Sequence, residues 1–166
     1  MGARQIGEVE LRGPAIANSY LTMEGIVQLG GDDGWFDTGD LGYLDEQGRV
    51  YVCGRTKDVI VLAGVNLYPH DIERAAATVD GVRKGCVIAL RSDPESGGGE
   101  REGFVVLAEA NTANESEARL RISREITAQV SRHVGHAPRE VRVFPPGTLP
   151  KTSSGKLRRT SARALL

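Results

Sequence analysis

The sequence is short of several things, and each shortage excludes a class of protein. No apolar run approaches the roughly 20 residues that span a bilayer; "VIVLAGV", Val59–Val65, is among the longest. No basic segment followed by an apolar one opens the chain, so no secretory signal is expected. There are only two cysteines, Cys53 and Cys86, with no C-x-x-C spacing. Both are expected to be reduced and buried, in a cytoplasmic protein. The three histidines form no metal-ligand pattern, and His133 and His136 read as surface residues near a helix end. Net charge of one sign is also missing: at −1 the chain gives no reason to expect a nucleic-acid partner. What remains, 40% apolar and 26% charged over 166 residues, describes one or two small globular domains.

The first third reads as strands and turns. Ile6, Val9 and Leu11 are spaced for a half-buried strand over Glu8–Arg12. Because this pattern begins almost at once, the chain reads as a piece of something longer. "GPAIANSYL" suggests a helical turn, and "GGDDGWFDTGD" an exposed turn-rich loop. "LGYLDEQGRVYVCGR" is a hairpin turning at Asp45-Glu46-Gln47-Gly48.

After Arg55 the pattern changes to alternating strand and helix. A short strand pair surrounds Gly64, "HDIERAAATV" is helical, and "RKGCVIAL" and "GFVVLAEA" are buried strands. The polar "RSDPESGGGERE" between them is the expected point of disorder. Asn114 is expected to open a long helix, with Glu117 completing a capping-box spacing. Ala118, Ile122, Ile126, Val130 and Val134 form its apolar stripe. "EVRVF" is a last strand, followed by a lysine-bearing loop and a short helix from about Leu157. The expected organisation is a β-rich segment over residues 1–56 and an α+β domain over residues 57–166.

Three stretches carry chemistry. "FDTGDLG" holds Asp40 in what reads as a Gly-flanked turn. "GRTKDVIVLAGVNLYPHDIE" holds Arg55, Lys57 and Gly64. "LPKTSSGKLRR" holds Lys156 behind Ser153, Ser154 and Gly155. Singly, each has an ordinary explanation: a turn-forming aspartate, a solvated charge cluster, one exposed lysine among many.

In this order they resemble the C-terminal signature motifs of the adenylate-forming superfamily. Its members include acyl-CoA synthetases, fatty acyl-AMP ligases, adenylation domains of nonribosomal peptide synthetases and firefly luciferase. The resemblance runs from "GEVELRGPAIANSYL" to "SGKLRR". It implies a small mobile C-terminal α+β domain preceded by the end of a large N-terminal domain. It also implies ATP/AMP with Mg2+ as nucleotide and cofactor in the full-length enzyme, with no metal ligand in this stretch. By the resemblance, Asp40 would accept hydrogen bonds from the ribose hydroxyls and Arg55 would lie beside the same nucleotide. Lys57 would be the hinge between domains. Gly64 would border the thiol tunnel, and Lys156 would reach the acyl carboxylate and α-phosphate. A mobile ammonium suits that step, because carboxylate attack brings two anions together.

The form "GVNLYPHDIE" leans toward the fatty acyl-AMP ligase branch, although Leu67 stands where that branch often has His. The expected partners are therefore a fatty acid, the phosphopantetheine of an acyl carrier protein, and the enzyme's own N-terminal domain. An acyl-CoA ligase using free coenzyme A is the alternative within the class. A non-catalytic module that docks carrier proteins is the alternative outside it. Arg83, Lys84, Arg158 and Arg159 are candidates for a basic docking surface. The phosphate-gripping loop and the adenine and acyl pockets of the family are not in this sequence, so the fragment by itself is not expected to make an adenylate.

Overall fold

A computed structural model of the chain describes residues 4–17, 19–31, 33–92 and 103–166. The polar stretch expected to be disordered falls largely on residues 93–102, outside the described residues. The chain divides into two compact units, residues 1–57 and 58–166.

The first unit is all β. Strand β1 (Gly7–Leu11) pairs antiparallel with β4 (Phe36–Leu44), which pairs antiparallel with β5 (Val50–Arg55), in the order β1-β4-β5. The expected β4–β5 turn is present: the Asp45 N–H donates to the Arg49 carbonyl at 3.0 Å and the Gly48 N–H to the Asp45 carbonyl at 3.0 Å. A second hairpin joins β2 (Ser19–Thr22) and β3 (Gly25–Gln28). The one turn expected in "GPAIANSYL" is confined to its start, with the Ile16 N–H on the Gly13 carbonyl, while Ser19, Tyr20 and Leu21 are extended in β2.

This unit has almost no interior. Among its described residues only Gly42 is buried. Large apolar side chains stand in the open instead, Leu21 at 79%, Met23 at 104% and Ile26 at 70% exposure. Leu21 and Ile26 are register partners across the β2–β3 hairpin, so these two exposed apolar side chains are neighbours. Cys53, expected to be buried, is only half-buried, in a unit where Gly42 alone among the described residues is buried; Cys86 is buried.

The second unit is the α+β part. Strands β6 (Ile60–Leu62) and β7 (Val65–Leu67) form a hairpin, and α1 (Pro69–Ala76) follows. Pro69 suits the first helical turn, where its missing N–H costs nothing. A three-stranded sheet is ordered β10-β9-β8, with β8 (Val82–Ser92) antiparallel to β9 (Gly103–Ala110) and β10 (Glu140–Phe144) parallel to β9. Helix α2 (Ser116–Val134) makes the crossover between the parallel pair. It starts at Ser116, not Asn114, and its N-cap residue Glu115 makes no side-chain cap. The chain at 111–114 is instead taken up by turns, with the Glu115 N–H bonded to the Thr112 carbonyl.

Every residue of β9 is buried, because the sheet is covered on both faces. Alternate side chains serve alternate layers. Phe104, Val106, Ala108 and Ala110 meet α1 and α2 through residues such as Ile72, Ile122, Ile126 and Val130. Val105 and Leu107 join Cys86, Ile88 and Leu90 on the opposite face, under Leu149 and Ala162 from the C-terminal segment. That segment ends in α3 (Arg159–Ala162) and a final 3-10 turn, Arg163–Leu165.

Candidate functional site

Asp40 is not in a turn, as its glycine neighbours suggest, but inside β4. Strands β1 and β5 flank β4 and fix it as a central strand. The irregularity that glycine signals is absorbed locally: the Gly39 N–H donates to Asp37 Oδ1 at 2.8 Å and the Asp40 N–H to Thr38 Oγ1 at 3.1 Å. Thr38 Oγ1 in turn donates to the Val9 carbonyl at 2.7 Å. In the β4–β5 register Asp40 is opposite Arg55, and Arg55 Nε lies 3.0 Å from Asp40 Oδ1. Their side chains are 29% and 54% exposed. An exposed pair of this kind contributes about 0–1 kcal/mol. Stability is therefore a weak reason for it, and what it provides is an acceptor and a permanent cation presented side by side. Lys57 lies in the 3-10 turn Thr56–Asp58, where the first unit ends, and is exposed.

Gly64 and Lys156 stand on two separate hairpins of the second unit. Gly64 turns the β6–β7 hairpin with Ala63; both have positive φ, 80° and 50°. This is the two-residue turn whose twist matches antiparallel strands. A Cβ on Gly64 would meet nothing within 4 Å, so the local demand for glycine is conformational, not steric. We expect Gly64→Ala to cost about 1–2 kcal/mol of unfolding free energy, the left-handed penalty, and Gly64→Asn distinctly less. Denaturant midpoints of the two variants check this.

The lysine loop is an ordered hairpin. Lys151 and Leu157 bridge antiparallel, the Thr152 N–H donates to the Lys156 carbonyl at 2.7 Å, and the Gly155 N–H donates to the Thr152 carbonyl at 2.9 Å. Thr152 Oγ1 accepts the Lys156 N–H at 3.1 Å. Gly155, with φ 82°, lets the chain reverse just before Lys156. Lys156 itself is exposed and forms no ion pair among the described residues.

Below the tip, the loop is held by groups that the sequence motifs did not single out. Glu109 on β9 is fully buried; its Oε1 accepts the Leu149 N–H at 2.8 Å and its Oε2 meets Arg83 Nη1 at 2.7 Å. Burial works to raise its pKa, but the Leu149 and Gly147 amides, the Cys86 thiol and the Arg83 guanidinium outweigh burial and hold it below the usual carboxylate value. A depressed native pKa means that this carboxylate stabilises the fold above the ordinary carboxylate range. That contribution is lost only as pH falls through the lowered value. The one sequence signal for Glu109 is an acid near the end of an otherwise apolar strand, "GFVVLAEA".

Arg159, three residues after Lys156, reaches Asp58 Oδ2 at 3.3 Å, Glu73 Oε1 and the Ala89 carbonyl. Of the four candidates for a basic docking surface, Arg83 and Arg159 are thus engaged in internal ion pairs, while Lys84 and Arg158 are exposed. No group of three His, Cys, Asp or Glu among the described residues could hold a metal.

The profile described as "AMP-binding enzyme C-terminal domain" matches residues 71–156, just over half of the chain. The chain belongs to that family. Among its relatives is Rv1013 of Mycobacterium tuberculosis, named as a ligase without a stated substrate, at 50% identity over all 166 residues. A 2-succinylbenzoate–CoA ligase of Listeria monocytogenes is 34% identical over 95% of the chain. The chain covers about 30% of the length of these two relatives, 30% and 31%. A solved structure of the fatty acyl-adenylate ligases of E. coli and L. pneumophila superposes with a TM-score of 0.73 at 29% identity, over 99% of this chain and 28% of that one. The α+β fold of this AMP-binding C-terminal domain is that of adenylate-forming enzymes.

Proposed function

We propose that residues 1–57 are the end of a large N-terminal domain and residues 58–166 the C-terminal lid of an ATP-dependent acid-activating ligase. The apolar faces of the first unit would then be covered by the rest of that N-terminal domain. The observation that carries the reading is Lys156: an exposed ammonium with no ion pair among the described residues, just past the turn of an ordered hairpin and within the segment that matches the family. Such a group can enter a site lined by other parts of the protein and offset the charge that builds as a carboxylate attacks the α-phosphorus of ATP. Asp40 and Arg55 would receive the ribose, since a carboxylate accepts from a diol and a guanidinium suits the phosphate side. Lys57 would be the hinge. The Gly64 turn would border the path of the incoming thiol. No group of three His, Cys, Asp or Glu among the described residues suits Mg2+, so no step is assigned to it.

For the acceptor we favour the phosphopantetheine thiol of a carrier protein, on the "GVNLYPHDIE" sequence and the likeness to fatty acyl-adenylate ligases. The identity to a CoA ligase favours free coenzyme A as the second reading. The test uses the full-length protein that contains this chain, with ATP and fatty acids. Pyrophosphate release is followed first, then thioester formation on holo-carrier protein and on coenzyme A. The expected result is acyl-adenylate, transferred to the carrier and barely to coenzyme A. Rapid acyl-CoA formation reverses the choice of acceptor, and absence of acid-dependent pyrophosphate release removes the ligase reading.

A further inference from the structure

We infer that Glu109 is a positioning residue for Lys156, setting the loop that carries it from beneath the sheet. The inference rests on the role proposed for Lys156. Glu109 is the one charged residue that is buried among the described residues. It lies on the face of β9 that the C-terminal segment covers, and it accepts the backbone N–H of Leu149, 40 residues away in sequence. Leu149 is itself buried, in the cluster that includes Leu107 and Ile88.

The charge pair does not account for Glu109. The Arg83 side chain is 37% exposed, so water could solvate it without a partner. The Leu149 N–H has no such recourse: it is enclosed, and Glu109 is its acceptor. The chain around it has few other backbone donors, because Pro145, Pro146 and Pro150 carry none.

From Leu149 the position passes stiffly to the tip. Pro150 restricts the next residue step, its carbonyl accepts the Arg158 N–H at 2.8 Å, and the Lys151–Leu157 bridge closes the hairpin that ends in Lys156. Lys151 Nζ also lies 3.4 Å from Cys86 Sγ, on the same sheet face. Arg159 anchors the far side of the hairpin to Asp58 and Glu73. Releasing Glu109 therefore removes the polar anchor of the near side, leaving the burial of Leu149 and the Lys151–Cys86 contact, while the far side stays tied, and the hairpin shifts.

The experiment compares Glu109→Ala and Glu109→Gln; the glutamine keeps an oxygen for the Leu149 N–H. Amide hydrogen exchange of the 166-residue chain is read first. In Glu109→Ala, exchange over residues 149–156 should rise at least tenfold while β8, β9 and α2 keep their protection, and Glu109→Gln should restore most of the loop's protection. The same variants in the full-length protein should show a roughly tenfold lower kcat for pyrophosphate release in Glu109→Ala. The KM for the acid and the rate of transfer from supplied acyl-adenylate should be unchanged. Unchanged exchange in the loop overturns the inference, as does a uniform rise across the sheet or an equal loss in both half-reactions. Should Glu109→Ala fail to fold, a Glu109→Gln variant with wild-type loop exchange and rate supports the oxygen contact, and one with wild-type global protection but a freed loop opposes it. If Lys156→Ala leaves pyrophosphate release intact, the role of Lys156 fails separately, while exchange still decides whether Glu109 sets the loop.

Discussion

In the full-length protein, Lys156→Ala is expected to lower acyl-adenylate formation by about a hundredfold or more, and to leave transfer from supplied acyl-adenylate near normal. At about 4 Å and an effective dielectric of about 20, one cation beside the developing charge is worth roughly 4 kcal/mol. That is about a thousandfold in rate, and partial solvation of the site reduces it. The substitution should not disturb the fold. Lys156 is exposed, its side chain has no ion pair among the described residues, and its loop contacts are made by its backbone. Pyrophosphate release reads the first step and thioester formation the second. Equal depression of both would make Lys156 a structural residue.

Phe104→Ala is expected to be the most damaging single change in the second unit, costing about 3–5 kcal/mol. Phe104 is wholly buried and is the largest side chain of the core between the sheet and the two helices. Its carbonyl also accepts the Arg139 N–H at 2.8 Å, at the entry to β10, so collapse of the cavity is opposed by the pairing of that strand. Against a typical total of about 5–15 kcal/mol, the loss leaves little margin. Chemical denaturation followed by circular dichroism measures it. A cost below about 1 kcal/mol would mean that α1 and α2 close the space.

The second unit was legible because its elements bury themselves. Apolar residues at helical spacing mark Ile122, Ile126 and Val130 in the sequence, and a continuous apolar run marks β9. The first unit was less legible for the opposite reason. The β2–β3 hairpin has Tyr20, Leu21 and Ile26 all exposed, so no inside-outside alternation is written into it. Asp40 read as a turn residue because its glycine neighbours dominate local propensity; the strands on either side of β4 overrode them. Capping at Asn114 failed because turns took the preceding residues. The motif residues were visible as motifs, but the support of Lys156 was not. It depends on Glu109 meeting Leu149 across 40 residues, which no local pattern records.

That long-range contact also orders events in time. The acceptor for Leu149 exists only once β9 is seated between β8 and β10, and closing so wide a chain loop is slow compared with forming α2. The Lys151–Leu157 hairpin can close by itself at any stage, as its bonds are local. Its docking onto the sheet cannot. The lysine hairpin should therefore be among the last parts of the second unit to gain native protection during refolding, and among the first to lose it.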